Sequence, residues 1–589
     1  MRHFLLFLFL NLAAHAADKP NILWITCEDS SPHLGCYDDP NANTPNIDAL
    51  AKRGLLFRHA WSNAPVCAPA RTCIISGRWA PSDGAEHMRS EVPMPGGHKM
   101  FPQLLREAGY YCTNNSKEDY NLIKPEGVWD ESSKKAHWRN RKPGQPFFAV
   151  FNLLITHESQ IRARPHTLVH DPAKVVVPPY MPDTPEVRHD WAQHFDNLTT
   201  IDGQAAEILK ALEDDGLAQD TIVFFYADHG TGMPRSKRWP MNSGLQVPFI
   251  TYFPEKYQAV APFGYRAGAH TDQMIGFIDL APTVLRLASM TPPAYMQGSA
   301  FAGEGKPAPR QFNFGFRGRM DERIDLTRSI TDGRYVYIRQ FMPHLPYGQH
   351  IGYMFEMPTT RVWNDLFEQG KLTPQQSVFW KPKPHEELYD LQADPWEIRN
   401  LAQDPEMVVT RTFLRQTLAT LLERTRDLGF IPEAQRLADS AGQSPKDAFA
   451  DNKAYPVKEV VSAALLASDL TKTLADPLLP LLAHENAVVR YWGVMGLVMR
   501  GADTVKTAHD AVLPLLDDKS SSVRVAAAEA LMAGGTDADQ EKAWAVLLGA
   551  ADPKNGAAMA SVEALNVIDR LGGKAAAKKD AIAKLLTGT

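Results

Sequence analysis

Short runs of consecutive apolar residues alternate with amphipathic stretches over most of this chain. The runs cover residues 21–26, 146–156, 221–227 and 247–253. Strands that are apolar at successive positions are buried on both faces, as in a parallel or mixed sheet. The stretch 199–212 reads as a helix that leads into the third run, which indicates a β-α-β arrangement. The pattern therefore predicts an α/β domain with a largely buried sheet.

The pattern changes twice after this domain core. Residues 332–339 and 387–391 read as short strands, which predict a smaller sheet that closes the first domain. We place the α/β domain, including this closing sheet, at residues 18–435. The stretch 436–456 is rich in Ala, Ser, Asp and Pro and is predicted to be a linker.

Residues 457–589 are dominated by Ala and Leu and repeat internally. Residues 479–497 match residues 513–531 at an offset of 34, and residues 546–565 form a weaker third copy. Each copy predicts a helix, a polar turn and a second, Ala-rich helix. This arrangement resembles HEAT-type helical repeats, which stack on one another and share a core. An unrelated helical bundle is the alternative interpretation.

The first residues predict the compartment. A short basic start is followed by an almost continuously apolar stretch at 4–12 and by small residues at 14–16. These three parts in this order are typical of a cleaved secretory signal, and the apolar stretch is too short to span a bilayer. We expect residues 1–17 to be a signal peptide and the mature protein to be secreted or periplasmic, without a membrane span.

Composition and charge narrow the function classes. The 589 residues are 44 % apolar and 22 % charged, which is ordinary for a globular protein. The net charge of −6 gives no global attraction to nucleic acid, so no nucleic-acid partner is expected. Five cysteines cannot form a disulfide framework, and their odd number leaves room for one with a chemical role. Whether Cys27, Cys36, Cys73 and Cys112 form pairs is not predicted.

Chemically capable side chains follow three of the buried runs. Glu28 and Asp29 follow the first, His157 and Glu158 follow the second, and Asp228 and His229 follow the third. In open α/β sheets, sites form beyond the carboxyl ends of the strands. Carboxylate oxygens suit Ca²⁺ or Mg²⁺, whereas the histidine would also suit Zn²⁺ or Mn²⁺. The three strand ends together predict a site for a divalent cation, although each residue alone could be a turn residue.

The segment 64–78, with the sequence APVCAPARTCIISGR, adds a nucleophile. Pro69 suits the first turn of a helix, which places Cys67 at the helix N-terminus, where backbone N–H groups attract anions. Arg71 follows four residues after Cys67 and shares its helix face. A nucleophile beside a guanidinium is suited to a tetrahedral oxyanion. The alternative is a chance pattern around a buried, inert thiol.

Over residues 19–435, these ordered motifs resemble the type I sulfatases of the alkaline phosphatase superfamily. The segments that carry the resemblance are NILWITCEDSSPHLGCYDD, TPNIDALAKRGLLFRHAWSNAPVCAPARTCIISGR, GYYCTNNSK, THES, ADHGTGMPRSKRW and ELYDLQADPWEIRNLA. Within the family, the chain is most similar to heparan N-sulfatase-like and related glycan sulfatases. The resemblance implies an alkaline phosphatase-like mixed sheet sandwiched by helices, with a small C-terminal antiparallel sheet. It also implies hydrolysis of sulfate ester or sulfamate groups on a sulfated glycan.

The resemblance also implies a built-in catalytic group and a cation. Cys67 would be oxidised to formylglycine by a formylglycine-generating or sulfatase-maturing enzyme. A hydroxyl of the hydrated aldehyde would attack sulfur, and the second hydroxyl would later expel sulfate. Glu28, Asp29, Asp228 and His229 would hold one divalent cation together with the Cys67-derived group. Ca²⁺ is the first expectation for this ion and Mg²⁺ the second.

Five further residues receive roles by the same resemblance. Arg71 would orient the hydrated aldehyde, Lys117 and Lys237 would bind sulfate oxygens, and His157 would bind sulfate or protonate the leaving group. Asp119 stands where the family commonly has histidine. It would act as the base of the second step or contact an amino or hydroxyl group of the substrate. Without the motif, both lysines would be read as solvated surface residues.

Other side chains and other functions stay open as alternatives. Candidates for a rim that binds sugar and sulfate, with ordinary packing as the alternative for each, are Trp239, Arg317, Arg319, Arg323, His344 and His350. The closest rival function is hydrolysis of phosphodiesters or phosphonate monoesters with the same formylglycine. A rival of another class is a non-catalytic binding protein that works through its repeats. For the repeats themselves we expect protein docking or packing as a lid.

Overall fold

The structure of the protein is a computed structural model that describes residues 19–555 and 557–587. The predicted signal peptide lies outside the described residues. The strands, in chain order, are β1 (Asn21–Cys27), β2 (Leu55–Phe57), β3 (Ala60–Trp61), β4 (Tyr111–Asn115), β5 (Glu131–Ser132), β6 (Phe147–Leu153), β7 (Thr221–Ala227), β8 (Phe249–Tyr252), β9 (Ala269–Thr271), β10 (Ile275–Gly276), β11 (Asn313–Arg317), β12 (Thr327–Thr331), β13 (Tyr335–Gln340) and β14 (Glu386–Asp390).

Eight of these strands form one mixed sheet in the order β5-β4-β6-β1-β7-β8-β2-β9. The central strand β1 pairs in parallel with both β6 and β7, and β8 is antiparallel to its two neighbours. Every residue of β1, β6 and β7 is buried, which is why these segments are apolar at successive positions. The predicted mixed α/β sheet is confirmed, and the four predicted runs correspond to β1, β6, β7 and β8.

Helices surround this sheet. Those before residue 450 are α1 (Pro45–Arg53), α2 (Cys67–Ser76), α3 (Ala80–Asp83), α4 (Phe101–Glu107), α5 (Glu158–Ile161), α6 (Pro185–Asp214), α7 (Asn242–Leu245), α8 (Leu280–Leu287), α9 (Pro358–Glu368), α10 (Val408–Thr425), α11 (Glu433–Ser440) and α12 (Pro445–Ala448). Helices α1, α5 and α6 pack together as one group, and α2, α4 and α8 pack together as a second. Trp24 of β1 contacts Phe101 of α4, which joins the second group to the sheet.

Helix α6 begins much earlier than the sequence pattern predicts. The predicted helix covers 199–212, whereas α6 begins at Pro185, and the Thr184 side chain accepts a hydrogen bond from the Val187 backbone N–H. Its first half buries polar residues such as Asp190, which accepts hydrogen bonds from Thr359. Because these buried positions are polar, this half shows no apolar periodicity from which a helix could be recognised.

A second sheet closes the α/β domain. It is antiparallel, in the order β11-β12-β13-β14, and its last two strands correspond to the predicted short strands at 332–339 and 387–391. The stretch 436–456, predicted as a linker, contains the end of α11 and all of α12. Arg436 of α11 is fully buried and pairs with Glu86 at 2.5 Å, so this stretch packs against the α/β domain.

The C-terminal region is helical. Its helices are α13 (Val457–Ala467), α14 (Leu479–Leu482), α15 (Ala487–Arg500), α16 (Ala502–Thr507), α17 (His509–Val512), α18 (Ser521–Gly534), α19 (Asp537–Ala551), α20 (Ala558–Arg570) and α21 (Lys579–Thr587). The two sequence copies at 479–497 and 513–531 correspond to α14–α15 and to a 3₁₀ turn followed by α18. Helices α15, α18, α19 and α20 pack successively against one another.

The helical region docks on the closing sheet and the segments beside it. The Trp492 indole N–H donates to the Phe430 carbonyl at 2.9 Å. Arg339 of β13 donates to the Ser468 hydroxyl at 2.7 Å. The Asn566 amide donates to the Glu322 carbonyl at 2.8 Å. Among the described residues, no helix combines the length and the apolar character needed to cross a membrane.

Candidate active site

The three predicted strand ends meet at one edge of the large sheet. Strands β6, β1 and β7 are adjacent and parallel, so the residues that follow them emerge side by side. The Asp29 backbone N–H donates to the Asp228 carboxylate at 3.1 Å, which joins the ends of β1 and β7. The Glu158 backbone N–H donates to the Asp29 carboxylate at 2.7 Å, which joins the end of β6 to them. The result is a buried cluster of acidic residues.

Cys67 is the first residue of α2 and lies against this cluster. The residue before it, Val66, is extended, and Pro69 lies in the first turn, as predicted from the sequence. The thiol sulfur is 3.2 Å from His229 Nε2 and 3.9 Å from Asp29 Oδ1. Only 2 % of the Cys67 surface is exposed. The Cys67 thiol is therefore held at a helix N-terminus, in contact with two of the predicted metal ligands.

Two groups of potential ligands share Cys67. One consists of Asp29, Cys67 and His229, and the other of Glu28, Cys67 and Asp228; within each group the ligand atoms lie within 4.8 Å of one another. Three carboxylates with one imidazole form a donor set rich in hard oxygen atoms, which suits Ca²⁺ or Mg²⁺. The residues present therefore fit one divalent cation, and Glu28, Asp29, Asp228 and His229 would hold it.

The charges in this cluster compensate one another unevenly. Burial and the nearby Asp228 raise the pKa of Glu28 to about 7, although Lys117 opposes this rise. Burial also acts to raise the pKa of Asp29, but Lys237 and His229 outweigh it and hold that pKa well below its ordinary value. Burial disfavours the charged form of His229, yet Asp228 and Asp29 raise its pKa well above the ordinary value. The negative charge of Glu28 is therefore less well compensated by its neighbours than that of Asp29.

Arg71 connects all three strand ends. Its Nε donates to Asp228 Oδ2 at 3.1 Å, and its two terminal nitrogens donate to Glu28 Oε1 at 3.2 Å and to Asn152 Oδ1 at 2.8 Å. Only 7 % of Arg71 is exposed. A planar guanidinium offers donors in several directions at once, which a lysine ammonium on one stem does not reproduce. Arg71 therefore fixes the carboxylates relative to α2.

Lys117 and Asp119 border the cluster on the side of β4. Lys117 Nζ contacts Glu28 Oε1 and is 3.7 Å from Asp119 Oδ2. Both side chains are 19 % exposed, so Lys117 is not a solvated surface lysine. Cys67, Glu28 and Asp228 hold the pKa of Lys117 above its ordinary value, even though burial and the nearby Arg71 act against its charge. Asp119 is therefore placed to contact whatever Lys117 binds.

Lys237 and His157 border the cluster near Asp29. Lys237 Nζ donates to Asp29 Oδ2 at 2.7 Å and lies 3.4 Å from His157 Nε2. Lys237 is 2 % exposed, which also contradicts a surface lysine. Burial lowers the pKa of His157, and Lys237 adds to this effect while Asp29 opposes it. The structure therefore brings together the ten residues to which the sequence analysis assigned catalytic or metal-binding roles.

Two residues to which the sequence analysis assigned no role support this arrangement. The Glu158 carboxylate binds Arg238 at 2.9 and 2.7 Å and lies 3.4 Å from Lys237 Nζ. Burial opposes the charge of Glu158, but Arg238 and Lys237 lower its pKa to about 2. The position of Glu158 directly after His157 at a strand end was the available signal. Asn152, inside β6, carried no such signal because it lies within an apolar run.

The predicted substrate rim is wrong for several of its members. Trp239, Arg317 and Arg319 are at most 8 % exposed and do not line an open surface. The Arg317 Nε lies 3.3 Å from Asp325, and Arg319 forms a two-point ion pair with Glu433. The ring nitrogens of His344 are buried, and Arg323 pairs with Asp569 in the helical region. His350 is exposed. The buried arginines pair with carboxylates within the protein.

The described cysteines are all free thiols, so the structure shows no disulfide among Cys27, Cys36, Cys73 and Cys112. Burial raises the pKa of the Cys27 and Cys73 thiols, which makes both of them poor nucleophiles. Cys67 is the cysteine placed among the polar residues of the cluster.

Comparisons with known proteins agree with this geometry. The family model described as Sulfatase matches residues 20–121 and 111–290, and the model described as HEAT repeats matches residues 475–566. An ulvan-active sulfatase from Formosa agariphila is 36 % identical over 468 residues, which cover 71 % of this chain and 77 % of that protein. The human N-sulphoglucosamine sulphohydrolase is 25 % identical over 489 residues, which cover 71 % of this chain and 93 % of that protein.

Solved structures show the same fold at lower identity. A 2-O GAG sulfatase superposes with a TM-score of 0.52 and 20 % identity, covering 69 % of this chain and 93 % of that chain. A phosphonate monoester hydrolase from Silicibacter pomeroyi has a TM-score of 0.52 and 16 % identity, covering 70 % and 97 %. At these identities the superpositions show the fold alone. The family model and the similarity to the ulvan-active enzyme go further, and they show that this chain belongs to the sulfatase family of hydrolases.

Proposed function

We propose that this protein is an exported sulfatase that removes sulfate ester or sulfamate groups from a sulfated glycan, with a formylglycine derived from Cys67 and one divalent cation. The observation that carries the proposal is the position of Cys67 at the N-terminus of α2, where it belongs to both groups of potential metal ligands. The relatives named for ulvan and for N-sulphoglucosamine support a sulfated glycan as the substrate class.

Glu28, Asp29, Asp228 and His229 would hold the cation, for which Ca²⁺ is the first expectation because most of the donors are carboxylate oxygens. Such an ion, when bound, supplies positive charge beside the sulfate oxygens and the nucleophile. Formylglycine, once formed at Cys67, supplies the hydroxyl nucleophile of a hydrated aldehyde. The remaining steps depend on side chains that the chain itself provides.

Three cationic side chains bind and orient the sulfate group in this proposal. Lys117 and Lys237 both border the cluster, and each is held by a different carboxylate, Glu28 or Asp29. Sulfate oxygens that enter between them would meet donors from both lysines. Arg71, fixed by Asp228, keeps the nucleophile aligned with this position. Buried, preorganised donors stabilise the charge of the transition state without reorganising during the reaction.

His157 is the proposed proton donor to the leaving group. Its Nε2 lies 3.4 Å from Lys237 Nζ, beside the proposed sulfate position, and its Nδ1 lies 3.3 Å from the Ser159 backbone N–H and 2.9 Å from the Ser159 hydroxyl. These contacts orient the ring so that Nε2 faces the reacting group. A proton donated from Nε2 would allow an alcohol or amine to leave without a full negative charge.

Asp119 is proposed as the base of the second step or as a contact to the substrate. Its carboxylate is 3.7 Å from Lys117 Nζ, at the border of the sulfate position. The variant Asp119→Asn keeps the shape and removes the charge. We expect it to lower kcat if Asp119 is the base and to raise KM if Asp119 contacts the substrate. Unchanged values of both constants would exclude both roles.

Mass spectrometry of the peptide that contains Cys67 tests the proposed modification. Protein purified from its native host should carry an aldehyde in place of the thiol at Cys67 and should react with carbonyl reagents. Cys73, six residues away in α2, provides an internal control because it should remain a thiol. An intact thiol at Cys67 in active protein from the native host would contradict the mechanism.

Export and the rival reaction have separate tests. The N-terminal sequence of protein recovered from the medium or periplasm should begin near Ala17, whereas cytoplasmic protein that retains residues 1–17 would contradict export. The phosphonate monoester hydrolase fold relative makes phosphodiester and phosphonate substrates a necessary comparison. We expect kcat/KM to be higher for aryl sulfates than for aryl phosphodiesters, and the opposite order would favour the rival reaction.

A further inference from the structure

A cavity of about 460 Å³ lies behind the segment 228–241, which connects β7 to α7. Arg235 and Met241 of this segment line the cavity. Lys237, which lies between them in the chain, instead contacts Asp29 of the catalytic cluster. The segment therefore has one side toward the catalytic cluster and another toward the cavity.

Aromatic side chains form much of the cavity wall, namely Tyr180, Tyr347, Trp363, Phe379 and Tyr389. The rings of Trp363 and Phe379 stack at a centroid distance of 4.7 Å, which fixes their orientation. Val378 and Ile398 also line the cavity and are 50 % and 41 % exposed, so the cavity reaches solvent between them. A rigid aromatic wall beside an open mouth offers flat apolar surface to an entering ligand.

The cavity also contains a carboxylate oxygen without a partner. Glu397 is 1 % exposed, and its Oε1 accepts a hydrogen bond from the Asn242 backbone N–H at 2.8 Å. Its Oε2 is buried and has no hydrogen-bond partner among the described residues. A buried acceptor of this kind is costly unless a ligand or water supplies a donor. Glu397 therefore marks where a donor group of a ligand would bind.

The neighbouring guanidinium does not supply that donor. Arg235 donates to the backbone carbonyls of Trp396 at 3.2 Å and Glu397 at 2.6 Å. Its guanidinium also lies 4.0 Å from the centre of the Tyr180 ring. Because Arg235 is already engaged in this way, it is not a free site for an anion. Its positive charge on the aromatic wall also disfavours a cationic ligand.

We propose that this cavity binds a sugar residue of the same glycan whose sulfated residue is processed at Cys67. A sugar combines apolar C–H faces, which pack on aromatic rings, with hydroxyl groups that would donate to Glu397 Oε2. The inference rests on the proposed glycan substrate, and it adds a second contact with the glycan away from the cleaved group.

The variant Glu397→Gln tests this proposal directly. It keeps the shape of the side chain but places the amide NH2 group, a donor, where the proposal requires the acceptor Oε2. The substrates are 4-methylumbelliferyl sulfate and the fastest-hydrolysed member of a panel of ulvan and heparan sulfate oligosaccharides. For the oligosaccharide we expect kcat/KM to fall by about 10-fold through KM, the usual effect of losing one buried hydrogen bond. The aryl sulfate constants should change less than about twofold. Equal losses on both substrates, or no loss on either, would overturn the proposal.

A second variant blocks the mouth without disturbing the interior. Val378→Trp places a large side chain at a half-exposed position of the cavity mouth, and Val409→Trp is the matched control at an 80 % exposed position on α10. We expect Val378→Trp to raise KM for the oligosaccharide and to spare the aryl sulfate, whereas Val409→Trp should leave both unchanged. Identical behaviour of the two variants would contradict an occupied cavity.

Direct binding separates this inference from the proposed function. Isothermal titration calorimetry would measure chemically desulfated oligosaccharides of the same panel with wild-type protein and with Glu397→Gln. One outcome is that the wild-type protein binds a desulfated oligosaccharide that Glu397→Gln does not bind, and yet hydrolyses no sulfate ester. That result would support the cavity and refute the proposed function. Hydrolysis of sulfated oligosaccharides without measurable binding of any desulfated one at millimolar concentration would refute the cavity alone.

Discussion

Replacement of Glu158 by glutamine is the most informative change outside the predicted catalytic residues. The side chain is 2 % exposed and binds Arg238 at 2.9 and 2.7 Å, with Lys237 Nζ at 3.4 Å. The amide keeps the volume but removes the negative charge. Arg238 is 3 % exposed, and the carboxylate that would then lie nearest to it is that of Asp321, at 3.8 Å. The change therefore leaves a buried guanidinium without its main partner.

The expected cost follows from this burial. Removal of one partner of a buried ion pair destabilises a protein by about 3–5 kcal/mol, because the other charge stays buried and uncompensated. Asp214→Asn is the matched control, since Asp214 pairs with Lys210 at 2.7 Å on the surface, where the side chains are 57 % and 71 % exposed. An exposed pair of this kind contributes only about 0.3–0.5 kcal/mol.

Differential scanning fluorimetry of wild type and both variants measures the difference. We expect Glu158→Gln to lower the melting midpoint by about 5 °C or more and Asp214→Asn by less than about 1 °C. Turnover of an aryl sulfate should also fall in Glu158→Gln, because Lys237 and the Asp29 carboxylate lose a neighbour that positions them. Equal midpoints for the two variants would refute the assignment of Glu158 as a buried, charge-compensating residue.

Three further predictions concern other contacts. Arg71→Lys should lower kcat by about 100-fold or more, because one ammonium cannot replace its three contacts; a loss below threefold would contradict this role. Burial acts to raise the pKa of Glu433, but His87 and Arg319 hold it at about 2, below its ordinary 4.5. The ionised Glu433 side chain therefore stabilises the fold by about 3 kcal/mol above pH 4.5, and this contribution is lost as the pH falls toward 2. Glu433→Gln should weaken the fall in melting midpoint between pH 6 and pH 3, and a constant difference from wild type would refute this. Trp492→Ala should lower the free energy of unfolding by about 3–5 kcal/mol and speed proteolysis within residues 457–587. An unchanged digestion rate would show that Trp492 does not hold the repeats in place.

The central strands could be predicted because burial determines their sequence. β1, β6 and β7 are buried on both faces, so they are apolar at successive positions and stand out from their surroundings. The first half of α6 could not be predicted in this way. It buries polar side chains such as Asp190 against a partner more than 160 residues away in the chain, and a local pattern contains no trace of that partner.

The residues of the candidate site were predicted more completely than the buried side chains that hold them in place. The ten residues came from strand ends and from the family resemblance, and the structure brings them together. Glu158 was noted at a strand end but received no role, because a carboxylate after a strand also fits an ordinary turn residue. Arg319 was assigned to a substrate rim, although it pairs with Glu433, 114 residues later in the chain. Sequence patterns show which side chains carry charge, whereas the partner that neutralises a charge depends on the tertiary fold.

Release of sulfate by the matured enzyme tests the central claim most directly. Protein from the native host, with Ca²⁺ present, would be incubated with ulvan and heparan sulfate oligosaccharides, and free sulfate would be measured by ion chromatography. We predict sulfate release from at least one oligosaccharide by the wild-type protein and none above background by Cys67→Ala. Equal release by Cys67→Ala, or cleavage of phosphodiesters by a wild-type protein that releases no sulfate, would contradict the account.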